Sequence, residues 1–349
     1  MSCIRIRRFR TMLRLFNQTP MKAQLDVARD ETGRDVILLV AKASFTLDEH
    51  PRFHEKQAPI LVQNEFWDEP ETSSLKYPAD NHLPQPGMSC ILVGSAWSPQ
   101  NKPTTQLQVC VEVGEMLQHL TVFGDRVWTE SGPSSPAHFE TMPLTYENAF
   151  GGSHRLSQNS DPGQNSILFH LGNPLGKGFR GKRTDKEMIG QPLPNIEAPD
   201  SLIKALKDMP EPVGVAAISP TWEPRVKLAG TYDESWNQTR APFLPEDFDS
   251  RFFVCGPQSL YRHDQFYHGG EAIHLKHVHP ERPTIHSKVP HCAVTAMIEF
   301  AGARHVVELR NETLILEPEL NRQQIVMRGV FPCERKVLSV KSVILRLGR

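Results

Sequence analysis

The sequence predicts a mainly β protein: an antiparallel β-sandwich or barrel-like sheets, with long irregular loops rich in Pro, Gly and aromatic residues and few short helices. Apolar and polar residues alternate from Leu107 to Val113, the period-two pattern of a strand with one solvated face. Several other runs of strand length are β-branched and apolar. The 349 residues include 29 prolines, about 8% against a usual share near 5%, and proline interrupts helices. Coiled coils and helical solenoids are therefore excluded.

Strand signals follow one another in the first half of the chain. Val36–Leu47 is a β-branched apolar run that predicts a long strand, buried on one face and partly on the other. Cys90–Trp97 predicts a second buried strand between proline-containing turns. After the alternating strand, Gly114-Glu115 forms a predicted hairpin turn, and Leu120–Phe123 returns beside it.

The middle of the chain is dominated by polar segments. Ser153–Gln164 and Gly172–Lys186 are predicted as loops that hold a domain junction or exposed insertions. One helix is predicted here: Asp200 or Ser201 caps its start, apolar residues fall on one face, and Pro210 ends it.

The C-terminal part of the chain returns to β structure. Asn311-Glu312 is predicted as a hairpin turn between two of its strands. The predicted strands are Ala293–Phe300, His305–Leu309, Thr313–Leu316, Gln324–Arg328 and Val337–Leu347.

These elements divide the chain into four regions. Residues 1–16 form a basic leader that is predicted to be disordered, and residues 17–150 form an N-terminal β-rich region. Residues 151–255 form an irregular, loop-rich middle with one short helix, and residues 256–349 form a C-terminal β-rich region. The leader lacks the 7–15-residue apolar stretch of a secretory signal, and Met12 is an alternative start.

Charge and cysteine usage narrow the classes of partner. The 39 Lys and Arg residues balance 40 Asp and Glu residues, which argues against a nucleic-acid binder. The six cysteines show no CxxC spacing, so neither a zinc knuckle nor a disulfide framework is predicted. No window reaches the roughly 18 apolar residues that a membrane span requires. We therefore expect a cytoplasmic protein with neither a nucleic-acid nor a membrane partner.

Sequence motifs for catalysis are missing from the chain. It contains no GxSxG, HExxH or GxxxxGK[ST] segment, and no GxGxxG segment that opens a helix. In the glycine cluster Gly172–Gly181, backbone amides and Lys177 could hold a phosphate, but no strand precedes the cluster and no helix follows it. An ordered loop that needs positive φ explains this cluster better. The sequence thus predicts no catalytic residue and no cofactor.

Histidines are concentrated between His263 and His291. His277 and His279 are expected on one face of a strand and could bind a metal, but two ligands do not make a site without a third such as Glu271 or His291. Solvated or hydrogen-bonded histidines are the favoured interpretation, with pH sensing as an alternative. No metal site is predicted.

Aromatic and arginine side chains in or beside the loops are the candidate partner-binding residues. Trp, Tyr and Arg dominate binding hot spots because they desolvate large areas at low entropic cost. The alternative is that these rings pin proline-rich loops onto a β core. The candidates are Arg126, Trp128, Tyr146, Trp222, Arg225, Tyr232 and Trp236.

A series of separate motifs resembles a known bacterial family, the type VI secretion accessory proteins that carry a domain of unknown function. The similarity extends from Asn17 to about Phe331, so residues 17–331 would form one family domain. The motifs include Val40–Phe45, Ser73–Asp80, Leu92–Ala96, Gly124–Trp128, Met142–Gly152, Asn173–Phe179, Leu193–Glu197, Trp222–Arg225, Gly230–Asp233 and Leu244–Asp249.

This resemblance implies an adaptor or chaperone. Such a protein stays in the bacterial cytoplasm, binds an effector protein, and helps to load it onto the VgrG spike or its PAAR-type tip. No catalytic residue belongs to the family motifs, and no cofactor is implied.

Two alternatives remain at this stage. One is a hydrolase acting on a polymer, with acids such as Glu147, Asp233 or Glu246 and a histidine such as His274. The other is a structural part of the secreted spike.

Overall fold

A computed structural model describes residues 13–156, 167–334 and 336–348, and it is mainly β. Fourteen strands build the two main sheets. In chain order they are β1 Arg14–Asn17, β2 Lys22–Arg29, β3 Asp35–Thr46, β4 Gly87–Leu92, β5 Gln106–Val113, β6 Met116–Phe123, β7 Ile196–Glu197, β8 Tyr261–His263, β9 Ala272–Lys276, β10 Thr284–Lys288, β11 Val294–Phe300, β12 Ala303–Glu317, β13 Arg322–Pro332 and β14 Val340–Leu347.

The larger sheet is mixed and nearly closed. Its strands follow the order β1-β14-β11-β12-β13-β3-β2, while β4 pairs with β12 and with β8. Strands β1 and β2, at the two ends of this order, contact each other, so the sheet approaches a barrel. Two pairings are parallel, β1 with β14 and β4 with β12, so the predicted barrel-like sheet is confirmed but is not purely antiparallel.

The second sheet has the order β7-β6-β5-β9-β10 and is antiparallel. The predicted hairpin is confirmed here, since Val113 pairs with Met116 across the turn at Gly114-Glu115. Alternate residues of β5 are buried, Val109 and Val111 among them. They meet residues of β3 such as Ile37 and Leu39 in the main core between the two sheets.

Strand β3 is buried on both faces. Its odd-numbered residues, from Ile37 to Phe45, belong to the main core. Leu38 and Val40 instead join a second apolar cluster on the other face of the large sheet. The segment between β3 and β4 lies over this outer face, where buried Asp80 forms an ion pair with Lys42 (Oδ2 to Nζ, 2.9 Å).

Helices are few and short, as predicted. The described residues contain two α-helices, α1 Asp185–Met188 and α2 Glu234–Thr239. The 3-10 helices of the described residues are Pro99–Asn101, Tyr146–Asn148, Arg225–Leu228, Ser250–Phe253, Gln258–Leu260, Pro318–Leu320 and Val337–Ser339.

The helix predicted from Asp200 or Ser201 to Pro210 is wrong, because this segment forms turns. The Glu197 carboxylate accepts a hydrogen bond from the Ile203 amide at 2.8 Å. Asp208 accepts hydrogen bonds from the amides of Lys204 and Ala205, each at 2.9 Å. These carboxylates therefore accept hydrogen bonds from backbone amides that would donate to backbone carbonyls in a helix.

The hairpin turn predicted at Asn311-Glu312 is also wrong, since β12 runs through this site with a bulge before Thr313. The Asn311 side-chain amide donates to the carbonyls of Tyr267 and Cys292, which ties the bulge to neighbouring segments. The true turns lie at the two ends of β12, where Ala301 and Asn321 adopt positive φ. The predicted strands 305–309 and 313–316 are accordingly one strand.

Cys90–Trp97, predicted as one strand, is divided in two. The chain leaves β4 after Leu92, and Ser95–Trp97 then pairs with Thr141–Pro143. Four further small pairs are Glu65–Phe66 with Leu75–Tyr77, Trp128–Thr129 with Gly132–Pro133, Phe150–Gly151 with Lys177–Gly178, and Ser153–Arg155 with Ile167–Phe169.

The predicted leader and the polar loop after Ser153 fall partly outside the described residues. Of the leader, residues 1–12, including Met12, lie outside them, whereas Arg14 begins β1. Of the predicted loop, residues 157–166 lie outside them, and Ser153–Arg155 form a strand. In the described residues, no helix is both long and apolar enough to span a membrane.

Candidate functional site

Five of the seven predicted partner-binding side chains lie in the interior. They are Arg126, Trp128, Tyr146, Trp222 and Arg225, each less than 9% exposed. The remaining two lie nearer the surface: Tyr232 is 54% exposed, and Trp236 is half-buried. The structure therefore does not gather the seven on one surface.

The two buried arginines bind backbone carbonyls and a buried acid. The Arg126 guanidinium forms an ion pair with Glu197 and donates to the Pro194 carbonyl. Its Cζ lies 3.9 Å from the centroid of the Phe123 ring. Arg225 donates to the carbonyls of Phe252 at 3.0 Å and Ile218 at 2.5 Å. Burial lowers the pKa of Arg225 from its ordinary value. These guanidinium groups hold loops to the core, which is the packing role that the sequence left open.

The aromatic candidates separate into three groups. Trp222 meets Tyr146 edge-on, with ring centroids 5.7 Å apart, and burial raises the pKa of Tyr146. Trp128 belongs to a different cluster that surrounds Met188 of α1. Tyr232 and Trp236 form a third group, with ring centroids 4.7 Å apart, and the Trp236 indole N–H donates to the Phe243 carbonyl.

Two neighbouring clefts open beside Trp222 and Tyr146. The larger has a volume of about 790 Å³ and is lined by Trp222 together with Phe66 and Pro70. The smaller, about 520 Å³, is lined by Tyr146. Phe169, His170 and Leu171, here called the ridge, line both clefts.

The ridge presents apolar side chains to solvent although its backbone is fixed. Phe169 is 50% exposed and Leu171 is 63% exposed. The His170 amide donates to the Gly152 carbonyl, and the Glu223 amide donates to the Leu171 carbonyl, both at 3.0 Å. A single exposed apolar residue is ordinary, but exposed apolar residues that border clefts mark interaction sites.

Sequence reasoning missed the ridge. The available signal was the apolar triplet Ile167–Phe169, which stands alone between two polar loops. A short apolar segment with polar flanks does not reveal whether it turns inward or outward.

The candidate hydrolytic residues are dispersed. The Glu147 carboxylate accepts bonds from the Ser74 amide at 2.6 Å and hydroxyl at 2.7 Å. Asp233 caps α2, Glu246 is exposed, and His274 contacts Glu112 on the outer face of β9. Among the described residues, no hydrogen bond or ion pair joins two of these four candidates.

The histidine-rich segment does not place His277 and His279 on one strand, contrary to the prediction. His277 follows β9 in a turn with φ of 59°, and its Nδ1 lies 2.7 Å from the Gln108 carbonyl oxygen. His279 Nδ1 accepts hydrogen bonds from two backbone amides. In the part of the chain that the structure describes, no three His, Cys, Asp or Glu residues are grouped so that they could hold a metal.

The glycine cluster at 172–181 forms an ordered loop with positive φ at Gly178 and Gly181. Lys177, the candidate phosphate ligand, donates from Nζ to the side-chain oxygens of Asn148 at 3.0 Å and Asn195 at 2.8 Å. Lys177 thus ties the loop to two asparagines from other segments, and Gly178 contributes the conformation that a residue with a Cβ rarely adopts.

Comparisons with known proteins give one match. A family model described as "Uncharacterized protein conserved in bacteria (DUF2169)" matches residues 32–328. The match covers the whole second sheet but leaves β1, β2 and β14 of the larger sheet outside, and it includes the ridge and both clefts. Comparisons with curated proteins and with solved structures returned no match.

Proposed function

This chain belongs to that bacterial family of uncharacterized proteins, DUF2169, and on this premise we propose that it is a cytoplasmic adaptor, or chaperone, for type VI secretion. It binds an effector protein and helps to load it onto the VgrG spike or PAAR-type tip. The motif series in the sequence supports the secretion context. The observation that carries the binding role is the exposed ridge between two clefts.

The ridge has the properties of a hot spot that a partner can cover. Hydrogen bonds already hold the backbone at His170 and Leu171, so little additional backbone entropy is lost when a partner contacts the ridge. Trp222 and Phe66 supply aromatic walls next to them. Hot-spot truncations cost about 2 kcal/mol or more each, so losing two would weaken binding by roughly a thousandfold.

Co-expression with effector, VgrG and PAAR proteins from neighbouring genes tests this proposal. The full chain is expected to co-purify with an effector, and Phe169→Ser with Leu171→Ser is expected to abolish this. The matched control is Val306→Ser with Leu320→Ser, because these side chains are 70% and 56% exposed and line neither cleft.

The proposal fails if no effector or spike protein binds the chain and if a deletion strain exports its effectors normally. Recovery of the chain with the spike in culture supernatant would instead support a structural part of the spike. Equal binding losses in the ridge and control variants would place the contact surface elsewhere.

A further inference from the structure

The two clefts beside the ridge differ in polarity. The larger is mainly apolar, and Glu71 is the only acid in its lining. The smaller contains two acids, Glu211 and Glu223, within a shorter lining. Neither lining includes a Lys or an Arg among the described residues. The larger cleft is therefore mainly apolar, whereas the smaller combines apolar walls with two acids.

The acids of the smaller cleft are open to a foreign cation. Glu211 is exposed and forms no ion pair with any described residue. Glu223 pairs with Lys227 at 2.8 Å, but this lysine side chain is 67% exposed. An ion pair of this kind contributes little, so a partner's Lys or Arg can replace Lys227.

His170 separates the clefts without offsetting their charge. Its ring meets Phe150 and Phe179 edge-on, with centroids 5.4 and 5.8 Å away. Burial lowers the pKa of His170, while Glu211 and Glu223 act in the opposite direction more weakly. Burial therefore disfavours a positive charge on His170, the group between the two clefts.

We propose that the paired clefts bind an extended segment of the partner whose apolar residues adjoin a Lys or an Arg. This rests on the proposed adaptor function and names the chemistry that it recognises. The apolar residues enter the larger cleft against Trp222, and the cation reaches Glu211 and Glu223 across the ridge. An acidic segment is rejected by the same carboxylates.

Fluorescence anisotropy with two labelled peptides tests the proposal on the full chain. Both peptides, about 12 residues long, share one Leu-, Phe- and Pro-containing core, which is followed by Lys-Lys in one and Glu-Glu in the other. The Lys peptide is expected to bind about tenfold tighter at low salt, and the difference should shrink as ionic strength rises to about 0.5 M.

Charge reversal provides the matched comparison. Glu211→Lys with Glu223→Lys is expected to reverse the preference between the peptides, and Glu211→Gln alone should reduce it without adding a charge. Glu115→Lys with Glu130→Lys adds the same charge at exposed positions outside both linings, and should leave the preference unchanged.

The outcomes separate this inference from the proposed function. If the two peptides bind equally in wild type and in every variant, the inference is overturned, even where effector co-purification still depends on Phe169 and Leu171. If the Lys peptide is preferred and Glu211→Gln reduces that preference, the inference stands, even where no effector co-purifies.

Discussion

Replacing Arg328 by Met is expected to destabilise the protein by an amount that grows with pH. Arg328 is 2% exposed, and its guanidinium donates to Glu312 Oε2 at 3.0 Å and to the Asp80 carbonyl at 2.8 Å. Methionine fills part of the volume but donates to neither acceptor. Glu312 Oε2 keeps a hydrogen bond from the Gln85 amide at 3.2 Å but loses its charged donor, and a lost hydrogen bond to a charged group costs about 1.5–3 kcal/mol.

The pH dependence comes from Glu312, which is fully buried. Burial raises its pKa from 4.5 to about 7, although the positive charge of Arg328 acts in the opposite direction. In the wild type, protonated Glu312 therefore stabilises the folded protein. This stabilisation is complete below about pH 4.5 and is lost as the pH rises through about 7. Without Arg328 the pKa of Glu312 rises further, so the loss continues above pH 7 by about 1.4 kcal/mol per pH unit.

Urea unfolding between about pH 6 and pH 9 measures this difference. Arg328→Met is expected to cost more at pH 9 than at pH 6, and the same substitution in a Glu312→Gln background should lose this slope. An equal cost across the pH range would refute the reasoning, since it would mean that Glu312 does not titrate against Arg328.

Further predictions concern the core, the aromatic candidates and one close backbone approach. Val109→Asp is expected to abolish soluble expression because the site is 0% exposed, whereas Val109→Ala should still give folded protein on size-exclusion chromatography. Trp222→Ala should lower the free energy of unfolding by about 3–5 kcal/mol and Tyr232→Ala by less than about 0.5, so equal losses would contradict the burial argument. Gly124→Ala should lower the Tm sharply, because a Cβ there would lie 1.8 Å from the Ala137 carbonyl oxygen; an unchanged Tm would show that the backbone can shift.

Local patterns predicted the hairpin β5–β6 because β5 has one solvated and one buried face, which alternation records directly, and a glycine-containing turn follows it. Glu312 shows where such reasoning ends. A polar pair after an apolar run is typical of a turn, yet the bulge in β12 directs Glu312 inward to Arg328. Its partners come from distant parts of the chain, Gln85 among them, and local spacing carries no information about such pairings.

The aromatic candidates show a second limit. Residue type identifies Trp222 and Tyr232 equally well as hot-spot residues, but only tertiary packing makes one 6% and the other 54% exposed. The ridge was missed because its sequence gives no sign of how exposed its side chains are. Ile167–Phe169 is too short to show a period, and its exposure depends on the strand that it pairs with, Ser153–Arg155.

Glu147, which the sequence offered as a catalytic candidate, and Asn173 of the glycine-rich loop position the walls of the clefts. Glu147 fixes the segment that carries Phe66 by binding Ser74, and Asn173, within the glycine-rich loop, donates to the carbonyls of Tyr146 and Phe150. Because these groups are bound to backbone atoms, the cleft shape is set before any partner arrives. A preformed surface loses less entropy on binding, so the proposed adaptor function predicts that affinity for a partner depends on these internal hydrogen bonds as well as on the ridge.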